Sequence, residues 1–223
     1  FESLLFALRL VKTTGADYLP RMTDSAMPTP QAKAPDDCGQ HVADQLVHIA
    51  RLVHGAAPDA SLTPAQWTAL RYFASANRFS RTPSAFSQFH ATTRGTASQT
   101  VKSLIAMGLL ERHVNAADAR STLIEVTQAG RDKLANDPLS DLCRCIDTLP
   151  DELRNGFGTA LAQIGAALAR MRASPTFGNC GDCGHCDTTD SQGAYCRCTQ
   201  SMLTQDDMDH LCIDFAPCAP KLG

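Results

Sequence analysis

The chain has 223 residues, 43% of them hydrophobic and 19% charged, with a net charge of −3. That length accommodates one large domain or two small ones, and the composition fits a soluble globular protein. No apolar run approaches the roughly 20 residues needed to cross a bilayer, which argues against a transmembrane anchor. The charge is unevenly placed: residues 61–135 hold nine Lys/Arg and four Asp/Glu, a balance of +5, which leaves −8 for the remainder. A basic middle inside an acidic chain predicts a polyanion-binding module flanked by segments that do not bind it. On charge alone, a solvated basic face reads the same.

Residues 1–36 are predicted to be disordered, because Pro20 to Pro35 is rich in Pro, Thr, Ala and polar residues. The opening FESLLFALRLVK is apolar but short and carries Glu2, and no small-residue cleavage site follows it. It is a poor signal peptide, Met22 is the expected start, and the expected compartment is the reducing cytoplasm. From Cys38 to His54, Val42, Leu46, Ile49, Leu52 and Val53 recur at helical spacing. Gly55 to Asp59 breaks that helix.

Thr63 and Pro64 then supply a cap and a first helical position, with Trp67, Leu70 and Phe73 as the buried stripe. A short helix follows Arg81-Thr82-Pro83, with Phe86 and Phe89 inward. A turn over His90 to Thr93 leads into a helix from about Arg94 to Met107. Ala97, Val101, Leu104 and Ile105 face inward there, and Gly108 ends it.

At this point the period changes. Leu109 to His113 and Thr122 to Val126 read as strands, joined by the polar tip Asn115 to Arg120. Thr127 opens another helix. Its stripe continues through Leu134, Leu139, Leu142, Ile146 and Leu149, with Pro138 as an irregularity. Pro150 starts a long helix striped by Leu153, Phe157, Leu161, Ile164, Leu168 and Met171, and Ser174-Pro175 ends it.

Two short helices, a tight turn and a two-stranded hairpin with a basic tip describe a winged helix-turn-helix. Its second helix can enter a major groove. The solvent face of that helix offers Arg94, Thr96, Ser98, Gln99, Lys102 and Ser103, donors suited to phosphates and base edges. Arg120 at the wing tip suits a minor groove, and Asp118 is placed to hold it by a charge-assisted bond. A plain polar turn would use the same two residues.

These residues resemble the MarR family of transcriptional regulators. The resemblance is carried by Leu62-Thr63-Pro64-Ala65-Gln66-Trp67, Thr93 through Val101, Leu104, Gly108 through Arg112, Asp118-Ala119-Arg120 and Val126 through Gly130. It covers roughly 38–172 and implies a mainly α chain, a winged helix-turn-helix with a helical dimerisation domain. It also implies a homodimer joined by the first and last helices, reading a pseudo-palindromic operator in double-stranded DNA, with room for a small-molecule effector. Arg112 joins the other candidate DNA contacts on this basis. One departure is His90-Ala91-Thr92-Thr93, a residue longer than the family's usual turn.

Seven of the ten cysteines fall within the last 44 residues: Cys180, Cys183, Cys186, Cys196, Cys198, Cys212 and Cys218. Thiols this dense in a reducing compartment point to metal or redox chemistry. A few dozen residues of low apolar content need such a staple to fold. The set Cys180, Cys183, Cys196 and Cys212, with Gly193 and Phe215 beside it, resembles small 4Fe–4S modules related to high-potential iron–sulfur proteins. Cys186, Cys198 and Cys218 are the substitutes for those ligands.

The cysteine spacing also fits a structural zinc, with His185 and His210 as further ligands, or a bare thiol–disulfide switch. The number of thiols favours the cluster. The tail is acidic, seven Asp against Arg197 and Lys221, so it is not expected to grip DNA but to act on the dimer helices beside it. Cys143 and Cys145 read as ordinary partly buried residues.

The expected organisation is therefore a disordered 1–36, a winged helix-turn-helix with dimerisation helices over 37–174, and a small irregular cysteine-rich domain over 175–223. The expected function is a cytoplasmic DNA-binding regulator controlled by an iron–sulfur cluster sensing redox state, oxygen or iron. Two alternatives stand: a MarR-type regulator with zinc or a thiol switch and a small effector, and an iron–sulfur electron carrier or oxidoreductase. No acid–base or nucleophile constellation points to an enzyme.

Overall fold

The computed structural model describes residues 38–55, 61–114, 122–188 and 193–218. The segment 1–36 and the wing tip with Asp118 and Arg120 lie outside the described residues. The chain divides into two units, Phe1–Ala43 and Asp44–Gly223, and of the first only the start of one helix is described.

The order is α1 (Cys38–Gly55), α2 (Pro64–Ser75), α3 (Pro83–Phe89), α4 (Arg94–Ala106), β1 (Leu110–Val114), β2 (Thr122–Val126), α5 (Gln128–Leu134), α6 (Leu139–Asp147) and α7 (Asp151–Met171). The tail adds a 3-10 turn (Cys180–Asp182), β3 (Cys186–Asp187), β4 (Tyr195–Cys196), β5 (Ser201–Met202) and α8 (Gln205–Asp209). The chain is thus mainly helical with two small antiparallel sheets, β1–β2 and β3–β4–β5.

The lobe's helices begin where a hydroxyl satisfies amides that have no partner inside the helix. Thr63 caps α2 in a capping box with Gln66, and Pro64 fills the first turn. Thr82, Thr93 and Thr127 cap α3, α4 and α5 through the hydroxyl alone, each cap contributing about 1 kcal/mol. Gly108, at φ 71°, turns the chain out of α4 towards β1.

The core lies between α2, α3, α4 and the wing. Trp67, Leu70, Phe73, Phe86, Val101, Leu104, Leu110 and Ile124 are all buried. Tyr72, absent from the predicted stripe, is buried among them, its ring 5.2 Å from Phe73 and 5.4 Å from Phe86. Phe89 differs from expectation. It stands at the core's rim, 36% exposed, with one side of its ring against Tyr72 of α2 at 4.9 Å. The Phe177 ring of the tail meets it edge-on at 5.0 Å.

β1 and β2 pair antiparallel with Leu110 opposite Val126, and the Ile124 amide donates to the Arg81 carbonyl at 2.8 Å. That bond ties the wing to the α2–α3 corner. The stripe after the wing breaks into two helices. Pro138 cannot continue a helix from α5 and instead opens α6. Asp137 holds this corner: its carboxylate accepts from the Leu139 amide at 2.8 Å and from Arg71 Nε at 2.6 Å.

α7 has no buried residue, and Leu161, Ile164 and Leu168 remain 38%, 44% and 46% exposed. On α1, Val42, Ile49 and Leu52 are exposed too. Cys143 and Cys145, expected to be partly buried, are exposed on α6, while Leu139, Leu142 and Ile146 on the same helix are half-buried.

Candidate nucleic-acid interface and cysteine centre

The turn between α3 and α4 is closed by Thr92, whose amide donates to the Ser87 carbonyl at 3.0 Å, and by Ala91 at φ 47°. The Thr93 hydroxyl then accepts from the Thr96 amide and starts α4. Ala97, Val101 and Leu104 bury one face, which leaves Arg94, Thr96, Gln99 and Lys102 exposed together, with Ser98 half-buried. These five predicted contacts share the outward side of one helix. The first turn of α4 also offers free amides to an anion.

Ser103 departs from the set. It is half-buried, and its hydroxyl accepts from Gln66 Nε2 at 2.9 Å, so it braces α4 against α2. Arg112 is exposed on β1, paired in register with Ile124. On the other wing face, Glu111 lies opposite Glu125, and His113 Nε2 sits 3.4 Å and 3.7 Å from their carboxylates. That register was not foreseen in the sequence. The imidazole lies between two carboxylates that would otherwise repel, and all three groups are exposed.

In the tail, Cys180, Cys183, Cys196 and Cys212 are 4%, 6%, 7% and 5% exposed. With Asp207 they make up the fully buried residues of the described tail. Cys186 is half-buried with its Sγ 3.8 Å from Met208 Sδ, and Cys198 and Cys218 are exposed. None of the ten cysteines is in a disulfide.

The thiols lie near one another. Burial pushes the Cys180 thiol up to about 12, and the nearby Cys212, Cys186, Cys183 and Cys196 add to the effect. Burial also raises Cys212, while the Asn77 and Ser80 side chains and the Asp214 backbone pull the other way.

Phe215 and Gly193 do local work here. A Cβ on Gly178 would lie 2.6 Å from the Phe215 ring, so the ring closes directly over the backbone that bonds Cys212. Gly193, at φ 119°, holds a conformation that only glycine adopts readily. His210 is turned towards Asp206, its Nδ1 2.5 Å from that residue's carbonyl.

The spacing of the thiols bears on which metal they suit. One tetrahedral ion with bonds near 2.3 Å sets its sulfurs about 3.8 Å apart. Among the described residues, the group of three ligand atoms mutually within 4.8 Å is Glu111, His113 and Glu125, and no three tail thiols meet that distance.

The tail was expected to act on the dimer helices, and its position is different. It turns back and docks on the α2–α3 corner. The Leu211 amide donates to the Ser75 carbonyl at 2.7 Å, and the Asn77 amide donates to the Leu211 carbonyl at 2.9 Å. The Ile213 amide donates to Ser80 Oγ at 2.9 Å. Arg78 donates to the Met202 carbonyl at 2.6 Å and faces the buried Asp207 carboxylate at 3.4 Å. Arg81 faces Asp206 at 3.5 Å. So two of the basic residues counted towards DNA binding are spent on the acidic tail.

The MarR family's sequence model matches residues 60–121. No curated protein matches the chain. The S. aureus MepR–DNA complex is similar to 60% of this chain and 99% of that chain, at 16% identity and TM-score 0.51. Streptococcus pneumoniae FabT in complex with DNA matches 60% of this chain and 99% of that one, at 18% identity and TM-score 0.48. A probable transcriptional regulator from Pseudomonas aeruginosa matches 58% of this chain and 98% of that one, at 21% identity and TM-score 0.47. At these identities the likeness speaks to fold, and the MepR match carries it. Among the described residues no helix is long and apolar enough to cross a membrane. Over residues 60–121 the chain therefore matches the MarR family's sequence model and has a winged-helix fold like that of MepR.

Proposed function

We propose that the chain is a homodimeric regulator of the cytoplasm whose affinity for a pseudo-palindromic operator is set by a 4Fe–4S cluster on Cys180, Cys183, Cys196 and Cys212. The observation that carries this reading is the composition of the tail's interior: four thiols and one carboxylate. An interior made of buried thiols that lie close together lacks the apolar contacts that would hold so small a module together. They are the soft donor set a cluster takes, and their spacing is wider than a single zinc ion favours. When bound, such a cluster supplies sensitivity to electrons, oxygen or iron supply.

The rest of the reading uses the chain's own residues. Arg94, Thr96, Ser98, Gln99 and Lys102 present donors to a major groove from α4, with Arg112 on the wing and Asp118 and Arg120 at its tip. MepR, the neighbour of matching fold, is bound to DNA. The exposed apolar stripes of α1 and α7 are the surfaces that a second copy would cover across a two-fold axis.

The test is anaerobic purification followed by metal analysis, a visible spectrum and operator titration. About four iron per chain are expected, with an operator affinity that differs between iron-loaded and iron-free protein. Stoichiometric zinc without iron would overturn the cluster. Arg94→Ala and Lys102→Ala should each weaken operator binding and reduce the salt slope of log K by about 1. An unchanged slope in both would remove α4 from the interface.

A further inference from the structure

Asn77 is fully buried, and neither its Nδ2 nor its Oδ1 makes a hydrogen bond of good geometry within the protein, its side chain lying beside the Cys212 sulfur. A buried amide left in that state is costly, and a native fold keeps one where something else is to be bound. Its surroundings indicate what. The Asn77 backbone amide is bonded to Leu211, and Ser80, three residues on, accepts from Ile213. Cys212 is thus bracketed on both sides by bonds to one short turn of the DNA-reading lobe. That turn is rigid. The Tyr72 hydroxyl donates to the Ser80 carbonyl at 2.8 Å, and Arg81 Nε donates to the Ala76 carbonyl at 2.8 Å. It also leads directly into α3, and so to the orientation of α4.

We infer that Asn77 is the contact between the sensing centre and the reading head: its amide donates to the Cys212 sulfur when that sulfur is a metal-bound thiolate. This rests on the cluster reading above and deepens it. A thiolate ligand carries more negative charge than a thiol and accepts hydrogen bonds more strongly, so metal loading would turn the amide's weak contact with Cys212 into a full hydrogen bond. Such a bond from beyond the ligand shell fixes the ligand and stabilises the more negative, reduced form of the centre. The α2–α3 corner is then held in one arrangement when the tail is loaded and released when it is not. The Asp207–Arg78 and Asp206–Arg81 pairs close the same seam from the tail's other side.

The test compares wild type with Asn77→Leu, which keeps the approximate shape and removes the donor. The protein is the full chain, purified without oxygen and titrated with dithionite against redox dyes. Operator affinity is measured for loaded and iron-free samples. Asn77→Leu should keep its iron and take up an electron about tenfold less readily, a midpoint lower by about 59 mV for one electron. Its ratio of loaded to iron-free operator affinity should fall towards one. Should that variant not fold, Asn77→Ser, which also shortens the donor out of reach, is judged by the same two readings. An iron-loaded variant with the wild-type midpoint and ratio overturns this inference alone. Wild-type protein that binds no iron overturns the cluster reading and this inference with it.

Discussion

Serine at Cys180, Cys183, Cys196 or Cys212, one position at a time, will leave protein with clearly less than the about four iron per chain expected of wild type. Serine at Cys186, Cys198 or Cys218 will leave most of the iron in place. The two groups separate on burial, the first being 4–7% exposed and the second half-buried or exposed. A hydroxyl is a hard, weakly acidic donor and does not replace a thiolate on iron. The loss should reach beyond the metal. A structural site holds folding free energy, and this tail has little else inside it. Each of the four substitutions should therefore make residues 175–218 more sensitive to limited proteolysis, with the winged helix left intact. Iron retained at wild-type level in two or more of the four would reject the ligand set. Loss of iron on substituting Cys186 as well would make it a ligand in place of a neighbour, since its thiol adjoins Cys183 and Cys196.

The sequence made the lobe legible because the lobe is built from local rules. Thr63, Thr82, Thr93 and Thr127 mark helix starts through bonds spanning three residues, and the change from helical to alternating period marks the wing. The four buried thiols are those named by the resemblance to 4Fe–4S modules. The seat of the tail was not legible. It is made largely by backbone groups more than a hundred residues apart, such as Asn77 with Leu211, and backbone bonds carry no side-chain signature. Asn77 and Ser80 look like ordinary polar residues of a loop, and Arg78 and Arg81 count only towards the basic balance of the middle until Asp207 and Asp206 are seen beside them. Phe89 was misjudged for the same reason, since Phe177 lies at its exposed edge.

Gly130→Ala will lower the melting temperature and weaken operator binding, although helix propensity alone says the reverse. Replacing glycine by alanine inside a helix gains about 1 kcal/mol when nothing else changes. At Gly130 the new Cβ would lie 2.3 Å from the Leu109 carbonyl oxygen and 2.7 Å from Val126 Cγ1. The valine can rotate, but the carbonyl cannot move freely. It accepts from the Thr127 amide at 3.2 Å, and the Thr127 hydroxyl in turn donates to the Gly108 carbonyl and accepts from the Gly130 amide. Relief of the clash must displace α5 from the wing or open that cap. Overpacking of this kind costs about 1–3 kcal/mol and occasionally more, and loss of a threonine cap adds about 1 kcal/mol. The net change should be a destabilisation of about 1–3 kcal/mol, at roughly 2–4 °C of melting temperature per kcal/mol for a chain of this size. Since Leu109 enters β1 and Val126 leaves β2, the wing moves with the clash, and operator affinity should fall even where the variant remains folded. Gly158→Ala is the control: nothing lies within 4 Å of its added Cβ, so it should be neutral or stabilising. A Gly130→Ala protein as stable as wild type would show that the wing and α5 are not packed as described.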